Sequence, residues 1–108
     1  MTHEELKTML EEADLPLAYD HFSEGESPEP PFLVFLFPSS DNFAADGIVY
    51  YKINVVHVEL YTDFKDPETE AALEAVLDTH GIFYDKTEVW IESERLYEVL
   101  YTFEIGGE

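Results

Sequence analysis

The chain contains no cysteine. This absence excludes a disulfide framework, a zinc site with thiolate ligands and a cysteine nucleophile. It suits a protein of the reducing cytosol, where disulfides are rare.

Basic residues are also scarce, with 5 Lys and Arg against 25 Asp and Glu and a formal net charge of -20 over 108 residues. Affinity for phosphates comes from Lys and Arg that displace counterions, so this composition excludes ordinary binding of free DNA or RNA. Anionic lipid surfaces repel such a chain for the same reason. A protein of this charge is expected to have no contact with nucleic acid, to mimic it, or to let it pass without binding it.

Long apolar runs and targeting signals are missing as well. The longest apolar run, residues 31–38, is far too short to cross a bilayer. The acidic N-terminal segment lacks the apolar region of a secretory signal. We therefore expect no membrane partner.

No catalytic motif is present. The sequence has no HExxH, no phosphate-binding loop, no GxGxxG and no GxSxG. His57 and Glu59 are expected to share a strand face, but two ligands on a strand are a weak metal signal, and a solvated or interfacial pair is the more common interpretation. We expect no enzymatic activity, no catalytic residues, no cofactor and no metal.

The residues that are present indicate a folded domain, because 45% of them are hydrophobic and 15% aromatic. The length favours one domain spanning residues 1–108. Residues 32–62 hold three acids, whereas residues 1–31 hold nine and residues 63–108 hold thirteen. The middle third is therefore the most core-like part.

Two helices are predicted. Thr2 and Glu5 have the spacing of a capping box ahead of an apolar stripe, and the first helix should end before Pro16. Asp66 as the cap and Pro67 at the first helical position predict a second helix that ends at His80. Its buried stripe is predicted to comprise Ala72, Leu73, Val76 and Leu77.

Five strands are predicted, over residues 17–22, 32–37, 48–62, 82–91 and 95–105, with a turn at 45–47 and a mobile Pro/Gly/Glu-rich loop at about 23–31. The strand at 32–37 should be covered on both faces and resume towards Phe43. A change of apolar parity near Asn54 indicates either a β-bulge or a change in the covered face. The order α-β-β-β-α-β-β predicts an α+β domain, a mainly antiparallel sheet with two helices on one face.

Aromatic residues are unusually common, with eight Phe, seven Tyr and one Trp. A core of this size can hardly bury all of them, and surface Tyr and Trp are typical of protein interfaces. Tyr61, Trp90 and Tyr97 each lie beside charged neighbours on a predicted strand, and Phe43 lies in the segment 38–47. These four are the candidate interface residues, although packing at the edge of the core would explain the same pattern.

The sequences of three segments, 42–63, 81–88 and 91–105, resemble small tail proteins of long-tailed phages and prophages of Gram-positive bacteria. The opening helix followed by Leu15-Pro-Leu-Ala-Tyr19 is similar too. The family is that of tail completion proteins, also called tail terminator or head-tail joining proteins. The resemblance implies an α+β fold and a ring, often a hexamer, at the head-proximal end of the tail tube. It transfers no catalytic residue.

The resemblance also implies partners and a location. The expected partners are further copies of the chain, the tail tube protein and the head connector or head completion proteins. The expected location is the head-tail junction of the virion, with assembly in the host cytoplasm. An acidic channel would let DNA pass without specific binding, because like charges repel.

Two other functions fit the composition. A small acidic phage protein could mimic DNA and block a host DNA-binding protein, with carboxylates spaced like phosphates on the first helix. Glu4, Glu5, Glu11, Glu12 and Asp14 could supply them. An adaptor that binds a peptide along its sheet edge is the third possibility.

Overall fold

The computed structural model describes residues 1–23, 25–40, 43–45, 48–51 and 53–106. The predicted turn at 45–47 lies partly outside the described residues. The elements in chain order are α1 (His3–Glu11), β1 (Leu17–Tyr19), β2 (Phe32–Ser40), β3 (Phe43–Ala45), β4 (Ile48–Tyr51), β5 (Ile53–Thr62), α2 (Pro67–Thr79), β6 (Asp85–Ile91) and β7 (Leu96–Gly106).

The main sheet has five strands in the order β1-β2-β5-β7-β6, and β3 and β4 form a separate hairpin. Strand β1 runs parallel to β2, and every other neighbouring pair in the sheet is antiparallel. The elements of the main sheet and the helices follow the predicted order α-β-β-β-α-β-β, so the α+β prediction is confirmed.

Both helices pack on one face of this sheet, as the sequence predicted. Strands β5 and β7 alternate in burial, so every second side chain faces the helices. The helix-covered core contains residues from both helices and three strands: Leu6, Met9, Leu10, Leu33, Phe35, Val56, Val58, Leu60, Leu73, Leu77, Val99, Tyr101, Phe103 and Ile105.

Local signals begin the helices where the sequence predicted. The Thr2 hydroxyl accepts a hydrogen bond from the Glu5 backbone, and the Glu5 carboxylate accepts one from the Thr2 backbone, which completes the capping box. Asp66 caps α2 by accepting from the Thr69 backbone N–H. Neither helix in the described part of the chain is long and apolar enough to cross a membrane.

The opposite face of the sheet, called the open face below, carries no helix within the described residues. On β2 it presents Phe32 and Val34, which are nonetheless buried. Residues of the segment 20–30 lie beside them along one cavity, so β2 is covered on both faces near its start, as predicted.

Several strands differ from the predicted bounds: β1 ends at Tyr19 and not at 22, the predicted strand 48–62 is divided into β4 and β5, and β6 begins at Asp85 and not at 82. The register between β5 and β7 runs uninterrupted from Ile53 to Thr62, so β5 has no bulge opposite β7 near Asn54. The register shift lies instead on β2, between Leu36 and Ser39. Ile53 and Val55, the described apolar residues of the other parity, lie half-buried on the open face.

The second helix buries a different set of residues from the predicted one. Leu73 and Leu77 are buried, but Ala72 is exposed and Val76 is only half-buried. Glu70 is buried in their place at 4% exposure. The Glu70 carboxylate can be buried here because Lys65 and Lys86 both form ion pairs with it.

Candidate interaction surfaces

Two of the predicted interface aromatics come together at the free end of the sheet. Trp90 on β6 lies directly across from Tyr97 on β7, with ring centroids 4.8 Å apart. The Trp90 indole N–H donates to the Glu92 carboxylate at 2.5 Å. Trp90 and Tyr97, which were predicted as separate candidates, therefore form one aromatic pair because the antiparallel register places them side by side.

This pair lies beside an unpaired strand edge. Among the described strands, none pairs with the outer side of β6. Phe83, Val89 and Trp90 are exposed at 89%, 53% and 39% on or just before this strand. An edge with free backbone groups and exposed apolar side chains is a template for pairing with another chain. We call β6 with Phe83 and Tyr97 the β6 edge.

Tyr61 lies elsewhere, on the open face. Its ring stacks on Phe32 with centroids 5.2 Å apart, and its hydroxyl donates to the Glu59 carboxylate at 3.0 Å. Burial raises the pKa of the Tyr61 hydroxyl, and the negative charge of Glu59 adds to the increase. Tyr61 is thus half-buried and engaged with its own chain, and the structure does not bring it to Trp90 and Tyr97.

Phe43 pairs through its backbone with Tyr51 in the β3–β4 hairpin. Its side chain lies outside the described residues. The hairpin belongs to a different sheet from the other three candidates.

A cavity of about 580 Å³ opens between residues 20–22 and 27–30 on one side and the open face on the other. Phe22 packs edge-on against Phe32, with ring centroids 5.4 Å apart, and Tyr61 continues this aromatic wall. We call this cavity the acidic groove, because five carboxylates line it: Asp20, Glu29, Glu59, Asp63 and Glu94.

Negative charge at the acidic groove is poorly compensated. Burial raises the pKa of Glu98, which lies beside the groove, and the neighbouring charge of Glu59 raises it further. Arg95 also lines the groove, yet it forms no ion pair with the described residues. The groove was not predicted from the sequence, because residues 59–63 and 94–96 reach the segment 20–34 only when β5 and β7 join the sheet.

The helix-covered side shows the opposite arrangement. Lys86 bridges Glu70 and Glu74 at 2.8 and 2.7 Å, and Lys65 contacts Glu70 at 2.7 Å. Lys65 also contacts Glu88, and the Tyr101 hydroxyl donates to Glu74 at 2.7 Å.

Against the effect of burial, hydrogen bonds from the two lysines lower the pKa values of the Glu70 and Glu74 carboxyls. Burial acts to raise the pKa of Glu70, but hydrogen bonds from Lys65 and Lys86 outweigh it and hold that pKa below its ordinary value. The pKa of Glu74 is also lowered, because the hydrogen bonds from Lys86 and Tyr101 outweigh the effect of its burial.

His57 and Glu59 lie on the open face of β5, as predicted from their parity. Within the described residues, no group of three or more His, Asp or Glu side chains is placed to hold a metal ion.

No model of a known protein family matches this chain, and no curated protein matches it.

Proposed function

We propose that this protein is a tail completion protein, a subunit of a ring at the head-proximal end of a phage tail tube that joins the tube to the head connector. The observation that carries the proposal is the β6 edge, a seven-residue strand whose outer side pairs with no described strand and which has Trp90 and Tyr97 packed at its end. A ring needs two different surfaces that meet head-to-tail, and an open strand edge supplies one of them.

The charge supports the same proposal. Lys65 and Lys86, two of the chain's few cations, pair with carboxylates of its own helix α2 and strand β6. Most of the acidic excess therefore stays uncompensated at the surface. In a ring, acids that face the channel would keep DNA from sticking, because phosphates bind to cations and are repelled by carboxylates.

The decisive test is deletion of the gene in its phage or prophage, followed by electron microscopy of the particles. We expect heads and tails that fail to join. Normal, joined virions would refute the tail-completion proposal.

A surface variant tests the β6 edge directly. Trp90→Lys adds a charged, solvated side chain to the edge, which natural proteins use to block strand pairing. We expect loss of ring formation, or of binding to purified tail tubes, measured by light scattering and negative-stain microscopy. Thr79→Lys is the matched control, because it makes the same charge change at an exposed position on α2.

A monomer that inhibits a host DNA-binding enzyme in a salt-sensitive way, and never binds tail tubes, would instead support the DNA-mimic function.

A further inference from the structure

We propose that the acidic groove binds an arginine or lysine side chain that a partner protein presents within an apolar segment. This inference goes beyond the tail-completion proposal and does not depend on it.

The aromatic wall suits such a ligand. The rings of Phe22, Phe32 and Tyr61 pack in sequence from one wall of the groove to the other, with centroid separations of 5.4 and 5.2 Å. Phe22 and Tyr61 are half-buried and so keep part of their rings exposed, whereas Phe32 is buried between them. Cations are attracted to the faces of aromatic rings, and arginine stacks on them through its planar guanidinium group. The apolar stem of the side chain and its apolar neighbours would pack against the same wall.

The carboxylates supply the charge complementarity. One carboxylate of the groove, Asp20, already has a partner, because its Oδ2 lies 2.9 Å from Nδ1 of His21. The other four line the groove without an ion pair to any described residue: Glu29, Glu59, Asp63 and Glu94. Tyr61 holds the Glu59 carboxylate in place with a hydrogen bond of 3.0 Å. A charge-assisted hydrogen bond from an incoming guanidinium would relieve the repulsion between Glu59 and Glu98.

The spacing favours a large cation over a bare metal ion. No three of the described carboxylates converge as a metal site requires, yet five of them surround a volume of about 580 Å³. A guanidinium with its stem is extended and offers donors in several directions, so it reaches separated carboxylates.

The test uses the full chain and a short fluorescein-labelled, capped peptide in which arginines alternate with leucines. Fluorescence anisotropy measures its affinity, and NMR amide shifts map its position. We expect shifts at Phe22, Phe32 and Tyr61, and binding that weakens as salt is added. We also expect affinity to fall about tenfold or more when the arginines of the peptide are replaced by glutamine, which corresponds to the loss of one good charged contact.

The matched protein variants separate a local site from overall charge. Glu59→Gln with Glu94→Gln removes two carboxylates from the groove, and Glu4→Gln with Glu11→Gln removes two exposed ones from α1. We expect about a tenfold loss of affinity for the first pair and less than about a twofold change for the second. Equal losses for both pairs would overturn the proposal, since they would show attraction to net charge alone.

Two further outcomes would also overturn it. One is equal binding of the glutamine peptide, which would show an apolar groove with no preference for cations. The other is equally strong competition by spermidine, a polyamine without leucine side chains, which would show a general cation surface.

Discussion

The pKa values of carboxyls are shifted in opposite directions on the helix-covered face and on the open face of the same sheet. On the helix-covered side, Glu70 and Glu74 are paired with lysines and their pKa values are lowered. On the open face, Glu98 lies near Glu59 without a cation between them, and its pKa is raised. Two lysines, Lys65 and Lys86, thus lie where burial of a carboxylate would otherwise be costly, whereas the like charges of Glu59 and Glu98 remain close together on the open face.

The first prediction compares a leucine from each face. Leu60 is fully buried under the helices, whereas Leu100 is half-buried on the open face of the neighbouring strand. Leu60→Ala should lower the free energy of unfolding by about 3 kcal/mol, because it removes a buried side chain and leaves a cavity. Leu100→Ala should cost about 1 kcal/mol. Urea denaturation measures both, and equal losses would contradict the difference between the faces.

The second prediction tests the lysine pairs. Glu70→Gln removes the charge that both Lys65 and Lys86 contact, and we expect a loss of about 2 kcal/mol in the free energy of unfolding at neutral pH. Because the pKa of Glu70 is lowered in the folded state, this loss should shrink as the pH falls through that pKa, below the ordinary value of 4.5. A loss that does not depend on pH would show that packing, and not charge, sets its size.

The third prediction concerns the buried polar atom on the helix-covered side. Thr62 is 1% exposed, and its hydroxyl has no hydrogen-bond partner among the described residues. Thr62→Val replaces it with an apolar group of the same shape and should raise the free energy of unfolding by about 1 kcal/mol. Thr102 is half-buried on the open face and serves as the control site. Thr102→Val should change the free energy of unfolding by less than Thr62→Val does. A destabilised Thr62→Val variant would mean that the hydroxyl has a partner.

The smallest effect is expected at Glu98. Glu98→Gln removes one of two neighbouring like charges and should raise the free energy of unfolding by about 0.5 kcal/mol at neutral pH. Because the pKa of Glu98 is raised by folding, its contribution is fully present below the ordinary value of 4.5 and is lost as the pH rises through the folded pKa. The gain should therefore be absent in acid and appear on raising the pH, the reverse of Glu70→Gln. Parallel denaturation series across pH check the sign.

Much of the fold was predictable because its signals are local. The capping box at Thr2 and the cap at Asp66 with Pro67 depend on residues within one helical turn. The alternation along β5 correctly placed His57 and Glu59 on the same face, since successive side chains point to opposite faces of a strand.

The candidate surfaces were only partly predictable. The sequence offered Trp90 and Tyr97 as separate candidates, and the register of β6 against β7 joined them. Tyr61 was expected at the surface, but stacking on Phe32 half-buries it. The prediction that Ala72 is buried on α2 was wrong, and Glu70 is buried instead. The burial of Glu70 depends on its ion pair with Lys86, which lies on β6, a strand that follows the helix in sequence.

The sequence by itself determined the net charge, the helix caps and the alternation of apolar residues, because each depends on composition or on neighbours along the chain. Only the tertiary structure decided which face of the sheet the helices cover, which carboxylates receive a lysine and where the acidic groove lies. Ionisation and burial depend on distances in space, and residues such as Glu59 and Glu98, which are far apart along the chain, become neighbours only when β5 pairs with β7.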